Sequence, residues 1–404
     1  MKLSEELAWR GFVNQTTIQD LSKLDGEPIS FYLGVDPSAN SMTIGNLAAI
    51  MMVRHFIKHG HKAFMLVGGA TGLIGDPDGK ASERNLKSMD EINKNKAALV
   101  EQYGVLFAGQ DFTVVDNYDW FKDMGYLNFL RNIGKHVPMS QMLGRDFVKS
   151  RLGEDGTGIS YAEFSYCLIQ GYDFLTLFRE YGVTLQLCGA DQWGNSITGV
   201  DLIRRLENAE SHVYSTPLVV NKSTGVKFGK SEGGAIWLDA NQTSVYKFYQ
   251  FWFNLDDEGV IDYLKMYTML DLDRISELEE ALHNDSSIRA AQRALAHEVT
   301  SIVHGLERTE SVERVTEVLF GGADFNSLSD ADIEELAREI PTVHLGISLI
   351  DLLLSTELAS SRGDARRLIE GGAVSVNGDK VNQDFTINSR SLIKKGKNSF
   401  ALAR

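Results

Sequence analysis

Only two cysteines, Cys167 and Cys188, occur in 404 residues, and both lie in apolar runs. Two thiols cannot build a disulfide framework or a thiolate-rich zinc site, so buried free cysteines and no protein-held metal are expected. Long apolar stretches are missing too. No run of eighteen such residues occurs, which excludes a sequence-evident membrane helix. The segment Met1 to Gly11 is charged and helix-like, without the basic-then-apolar pattern of a signal segment, and a cytoplasmic location is expected. Positive charge is also scarce: 40 Lys and Arg face 55 Asp and Glu, a net charge of −15. A surface that coats nucleic acid uniformly is excluded, because phosphate binding needs local positive potential. One region supplies it. From Pro341 onward Arg362, Arg366, Arg367, Lys380, Arg390, Lys394, Lys395, Lys397 and Arg404 outnumber Asp351, Glu357, Asp364, Glu370, Asp379 and Asp384.

What is present reads as an ordinary globular chain, 43% hydrophobic and 24% charged, too long for one core and therefore expected in two or three domains. Between Ser30 and Asn221 short strand-like runs alternate with amphipathic stretches: Phe31 to Val35, Leu47 to His59, Ala63 to Val67. This is the βαβ rhythm of a parallel sheet, whose ligands collect at the carboxyl ends of strands. Residues 1–221 are therefore expected to form an α/β domain and 222–244 a loop and connection. Residues 245–320 read as a helical domain and 321–340, with a glycine pair and acidic residues, as a linker. Residues 341–404 read as a small α+β domain with an Asn377-Gly378 turn.

Three groups of residues suggest chemistry. In Tyr32 to Leu47 a strand leads through a polar turn into a helix start, where Ser38, Thr43 and Asn46 stand beside the unpaired N–H groups that favour phosphate. By themselves Ser38 and Thr43 are equally good turn caps. In Lys227-Phe228-Gly229-Lys230-Ser231 two lysines flank a glycine in a polar loop, a pattern suited to polyphosphate and equally to plain solvation. Ser160 and Glu163 have capping-box spacing, and the helix they begin aligns Tyr166, Gln170 and Asp173 on one face among apolar neighbours. Such a buried polar stripe needs partners, from a ligand or from an internal network.

Thr43-Ile44-Gly45-Asn46 and Lys227 to Ser231, about 180 residues apart, together resemble the HIGH and KMSKS signatures of the Rossmann-class (class I) aminoacyl-tRNA synthetases. The stretches Gly68 to Pro77, Gly158 to Tyr166 and Cys188 to Asn195 resemble the bacterial-type tyrosyl branch. The resemblance runs from Trp9 to Arg404. It implies a Rossmann-type parallel-sheet catalytic domain, a helical domain and a small ribosomal-protein-type RNA-binding domain. It also implies a tyrosine–tRNA ligase reaction using ATP with Mg2+, tRNA(Tyr) as partner, and a homodimer touching around Asn128 to Phe164, with no membrane. Carried over position by position, Tyr32 and Asp173 would bind the substrate phenol, and Asp76, Tyr166 and Gln170 its ammonium. Gln192 would position the substrate, Lys80 would meet its carboxylate and Asp191 the adenylate ribose, while Asp36 and Gly45 would shape the nucleotide floor. Ser38, Thr43, Asn46, Lys80, Arg84, Lys227, Lys230 and Ser231 would handle phosphates. Arg362, Arg366, Arg367, Lys394 and Lys395 would contact tRNA. Two positions depart from the pattern: Thr43 stands where the family almost always has histidine, and Leu33 where it often has cysteine. A nucleotidyltransferase of the same fold, or a related RNA-binding protein without efficient catalysis, are the alternative readings.

Overall fold

The computed structural model describes residues 1–77, 86–153, 156–223, 225–226, 228, 230–231 and 234–404; at 146, 147, 230 and 231 it describes the backbone alone. Lys80, Arg84 and Lys227 lie outside the described residues, as do the side chains of Lys230 and Ser231. The chain forms two compact units, one of Met1–Thr243 with Trp252–Val303, the other of Ser244–Phe251 with His304–Arg404.

The first unit is built on a six-stranded sheet. Its strands are β1 (Gln15–Thr16), β2 (Ser30–Val35), β3 (Lys62–Val67), β4 (Phe112–Asp116), β5 (Leu185–Gly189) and β6 (His212–Thr216), in the spatial order β1-β6-β5-β2-β3-β4. All pairs are parallel except β1 with β6. Phe31, Tyr32 and Leu33 are consecutive and all buried, as a strand covered on both faces requires. The strand order reverses between β2 and β5, so the crevice beyond their carboxyl ends is where this topology places a ligand.

Two helices fix what faces that crevice. The helix Tyr161–Tyr181 starts at Ser160, whose hydroxyl accepts from the Glu163 N–H at 3.2 Å, and stops at the left-handed Gly182. It packs on the helix Trp193–Glu207 closely enough that a Cβ at Gly199 would lie 2.7 Å from Phe174 Cβ. Any larger residue at 199 would push the helix carrying Gln170 and Asp173 off its seat. The helices Val260–Tyr267, Leu272–Asn284 and Ala290–His304 follow the sheet, all but the last residue belonging to this unit.

The second unit holds a five-stranded sheet in the order Asp379–Lys380, Val374–Val376, Ser391–Lys395, Ser399–Ala403, Thr342–Val343. The expected turn is there, with Asn377 and Gly378 both at positive φ, 49° and 92°. The helical stretch expected as one domain over 245–320 is instead shared between the two units. The stretch 321–340, read from its glycines and acids as a linker, carries the helix Asp330–Glu339. Asp330 and Glu334 lie outward and Asp332 is buried against Arg314, while Ile333 and Leu336 bury against Val315, Leu319, Phe400 and Leu402. The helical spacing of Ile333, Leu336 and Ile340, three residues and then four, was the missed signal.

Candidate active site

At the switch point lies a cavity of about 580 Å³. Tyr32, Asp36, Ser38, Thr43, Gly45, Asn46, Asp76, Tyr166, Gln170, Asp173, Asp191 and Gln192 all line it, so every expected catalytic-domain site residue with a described side chain is brought together.

The deep end is polar but dry. Tyr32 and Asp173 are each 1% exposed. Asn117 Nδ2 donates to one Asp173 oxygen at 3.0 Å and Trp120 Nε1 to the other at 2.9 Å. Burial nevertheless holds the Asp173 carboxyl well above the usual carboxylate range, against those two hydrogen bonds. The Tyr32 hydroxyl is buried without a hydrogen-bond partner, and burial, with Asp173 near, raises its pKa well above 10. An unpaired buried hydroxyl costs stability unless something arrives to pair it. A ligand hydroxyl would fit such a pair, accepting from Tyr32 and donating to Asp173.

Beside it, Asp36 accepts from the Tyr166 hydroxyl at 2.8 Å and from the Thr71 hydroxyl at 2.6 Å. Burial raises the Tyr166 hydroxyl well above its ordinary pKa, and Asp36, Asp76 and Asp173 push it further. Gln192 Nε2 donates to Asp76, and the buried Gln170 Oε1 has no partner. Four aspartates and no Lys, Arg or His line the cavity among the described residues. That field favours a cationic group on whatever the cavity holds.

The mouth is built differently. Thr43 is the N-cap of the helix Ile44–Lys58, and Asn46 Oδ1 accepts from both its backbone N–H (3.0 Å) and its hydroxyl (3.1 Å). The capping role and the site position therefore coincide in one residue. The chain just beyond the second signature joins it: Ile44 N donates to Ile236 O at 3.1 Å and Leu238 N to Met42 O at 2.9 Å. Lys230–Ser231 pairs with Gly234–Ala235 as a short antiparallel ribbon. Backbone hydrogen bonds thus tie together two signatures that the sequence separates widely.

Sequence reasoning missed Thr71, Asn117, Trp120 and Gln186. Asn117 follows β4 directly and Gln186 sits on β5 in register with Tyr32. The strand-end rule points to Asn117, but nothing local marks the other three.

Comparison with known proteins agrees with this geometry. Residues 24–321 match the family tRNA synthetases class I (W and Y), and residues 332–403 match the tyrosine–tRNA ligase SYY-like C-terminal domain. The tyrosine–tRNA ligase of Levilactobacillus brevis is 44% identical over 420 residues, covering 100% of this chain and 99% of the relative. The chain belongs to the class I tRNA synthetases, in the tyrosine–tRNA ligase family. The Bacillus caldotenax tyrosine–tRNA ligase is 43% identical, with both chains covered in full. Among solved structures, a C-terminally truncated Aspergillus nidulans mitochondrial tyrosyl-tRNA synthetase aligns with a TM-score of 0.72 at 30% identity, over 79% of this chain and 94% of that one.

In the C-terminal unit the five expected tRNA contacts separate. Arg362, Arg366 and Arg367 are exposed on the helix Arg362–Glu370, the first paired with Asp351 and the last with Asp364. Lys394 and Lys395 are half-buried, their ammonium groups donating to the carbonyls of Leu319 and Leu358. Those two lysines are thus tied into the fold, whereas the three arginines stand open to solvent.

Proposed function

We propose that the switch-point cavity binds L-tyrosine and ATP and performs the family's tyrosine–tRNA ligase reaction. The tyrosine carboxylate attacks the α-phosphorus, forming tyrosyl adenylate and releasing pyrophosphate. The terminal ribose hydroxyl of tRNA(Tyr) then displaces AMP. The unpaired Tyr32 hydroxyl beside the buried Asp173 carboxylate carries this reading.

Tyr32 and Asp173 take the phenol; Asp76, Tyr166 and Gln170 take the ammonium; Gln192 holds the substrate beside Asp76. Lys80 meets the substrate carboxylate and Asp191, exposed at the end of β5, takes the ribose. Asp36 and Gly45 form the nucleotide floor. Ser38, Thr43, Asn46, Arg84, Lys227, Lys230 and Ser231 hold phosphates. No protein nucleophile is needed, because holding reactants in line and binding the charged transition state supply the rate. Mg2+ accompanies the triphosphate, held mainly by phosphates and water.

Arg362, Arg366 and Arg367 make the tRNA contact, with Lys394 and Lys395 a weaker second rank. Tyr126, Leu127, Met139, Leu143, Leu152 and Tyr161 are exposed apolar side chains over one stretch, the surface through which two copies form a homodimer. No helix among the described residues is long and apolar enough to cross a membrane, and the protein works in the cytoplasm. Tyrosine-dependent ATP–pyrophosphate exchange tests the reading, with exchange expected. Its absence, with tRNA still bound, favours the RNA-binding alternative.

A further inference from the structure

The two ends of the cavity are joined along its wall by a chain of buried hydrogen bonds through Asp173, Asn117, Thr71, Asp36 and Tyr166. Asn117 Nδ2 has two hydrogens and gives one to Asp173 Oδ2 and one to Thr71 Oγ1, each at 3.0 Å. The Thr71 hydroxyl has one hydrogen and gives it to Asp36 Oδ1 at 2.6 Å. The other Asp36 oxygen takes the Tyr166 hydroxyl at 2.8 Å. Thr71 and Asn117 are 3% and 0% exposed, so water does not compete. The donor direction is fixed throughout: Asn117 to Thr71, Thr71 to Asp36. Gly68 leaves room for it, since a Cβ there would lie 2.1 Å from Asp36 Oδ1 and 2.2 Å from Thr71 Oγ1.

We propose that Thr71 is a positioning residue whose hydroxyl couples recognition of the substrate phenol at Asp173 to recognition of its ammonium at Tyr166. Its hydroxyl is committed on both sides, as acceptor from Asn117 and donor to Asp36, so it acts through its neighbours rather than on the substrate. Buried chains of this kind strengthen cooperatively, and removal of the middle member loosens both ends. A residue serving one end alone moves one selectivity only. The inference rests on the cavity being the tyrosine site.

The test compares the full chain with Thr71→Val, which keeps the shape and removes the hydroxyl, and Thr71→Ser, which restores it. Two ratios are measured: tyrosine against phenylalanine in kcat/KM for pyrophosphate exchange, and tyrosine against 3-(4-hydroxyphenyl)propionate in Kd. Both ratios are expected to fall about three- to tenfold in the valine variant, the scale of one net buried hydrogen bond, and to recover within about twofold in the serine variant. KM for tyrosine should move more than kcat. Either ratio unchanged in the valine variant, or no recovery with serine, overturns the proposal. If the valine variant does not fold by circular dichroism, Thr71→Ala is read by the same two ratios. A parent with no preference for tyrosine contradicts the tyrosine site itself, whereas a selective parent with an unmoved valine variant contradicts the coupling alone.

Discussion

The deep end of the cavity and its mouth recognise by opposite means. At the deep end, Tyr32 and Asp173 are almost fully buried, and side chains fixed by Asn117, Trp120 and Thr71 meet the ligand. At the mouth, Ser38, Gly45 and Asn46 are exposed, and Thr43 and Asn46 bond one another. The described wall is anionic. It suits a phenol and an ammonium better than a triphosphate, whose charge the proposed function assigns to backbone N–H groups of the helix Ile44–Lys58 and to Lys80, Arg84, Lys227 and Lys230. On the proposed function, selectivity belongs to a preorganised interior and rate to the cations Lys80, Arg84, Lys227 and Lys230.

The largest expected effect breaks the mouth. Lys230→Ala should lower the pre-steady-state rate of adenylate formation on the order of 10²–10³-fold with tyrosine Kd unchanged, as for loss of one preorganised donor. A rate within a few-fold of the parent removes Lys230 from the transition state. Breaking the deep end should do the reverse: Asp173→Ala is expected to cut tyrosine-over-phenylalanine selectivity on the order of 10- to 10²-fold, since a buried hydrogen bond to the phenol is lost and Asn117 and Trp120 lose their acceptor. Selectivity retained in that variant places phenol recognition elsewhere.

A smaller effect separates the units. Arg362, Arg366 and Arg367 changed together to alanine should leave pyrophosphate exchange intact, lower tRNA charging about tenfold or more, and flatten its salt dependence. Equal charging by parent and variant rules out that helix as the contact. Thr43→Ala should cost less than tenfold in rate, together with about 1 kcal/mol of stability from the lost cap. A loss matching that of Lys230→Ala would make Thr43 a principal phosphate ligand in place of the family histidine.

The smallest effect concerns the far end of the mouth helix. His55, fully buried, lies 3.2 Å from Glu6 on the helix Leu3–Trp9, which also meets Arg10, Lys58 and His59. Burial lowers His55 from 6.5 to about 4, while Glu6 is held below the carboxylate range by its basic partners in spite of burial. Below pH 6.5 the unfolded chain takes up a proton on His55 that the folded chain refuses until about pH 4. Stability is therefore lost as pH falls through that window. Thermal unfolding of His55→Gln should decline less between pH 6.5 and 4 than the parent's; parallel curves would exclude His55 as the cause.

The parallel sheet, the helix starts at Thr43 and Ser160 and the Asn377-Gly378 turn were legible because each rests on local periodicity or one special dihedral. The stripe of Tyr166, Gln170 and Asp173 was legible for the same reason. What supports that stripe was not: Asn117, Trp120 and Thr71 meet Asp173 and Asp36 only after three strands are laid side by side. The surroundings of Lys394 and Lys395 were not legible either, because charge counts toward a basic tail wherever its ammonium ends up, and both donate to carbonyls of their own unit. The helix Asp330–Glu339 was masked by its acidic outer face.

The central claim is that a buried hydroxyl and carboxylate select a phenol. It is tested most directly by pyrophosphate exchange of the unaltered chain with tyrosine and with phenylalanine at matched kcat/KM conditions. Strong preference for tyrosine is predicted, since phenylalanine would leave the buried Tyr32 hydroxyl unpaired and bring no donor to Asp173, which only Asn117 and Trp120 would then meet. Equal exchange with the two amino acids would contradict it.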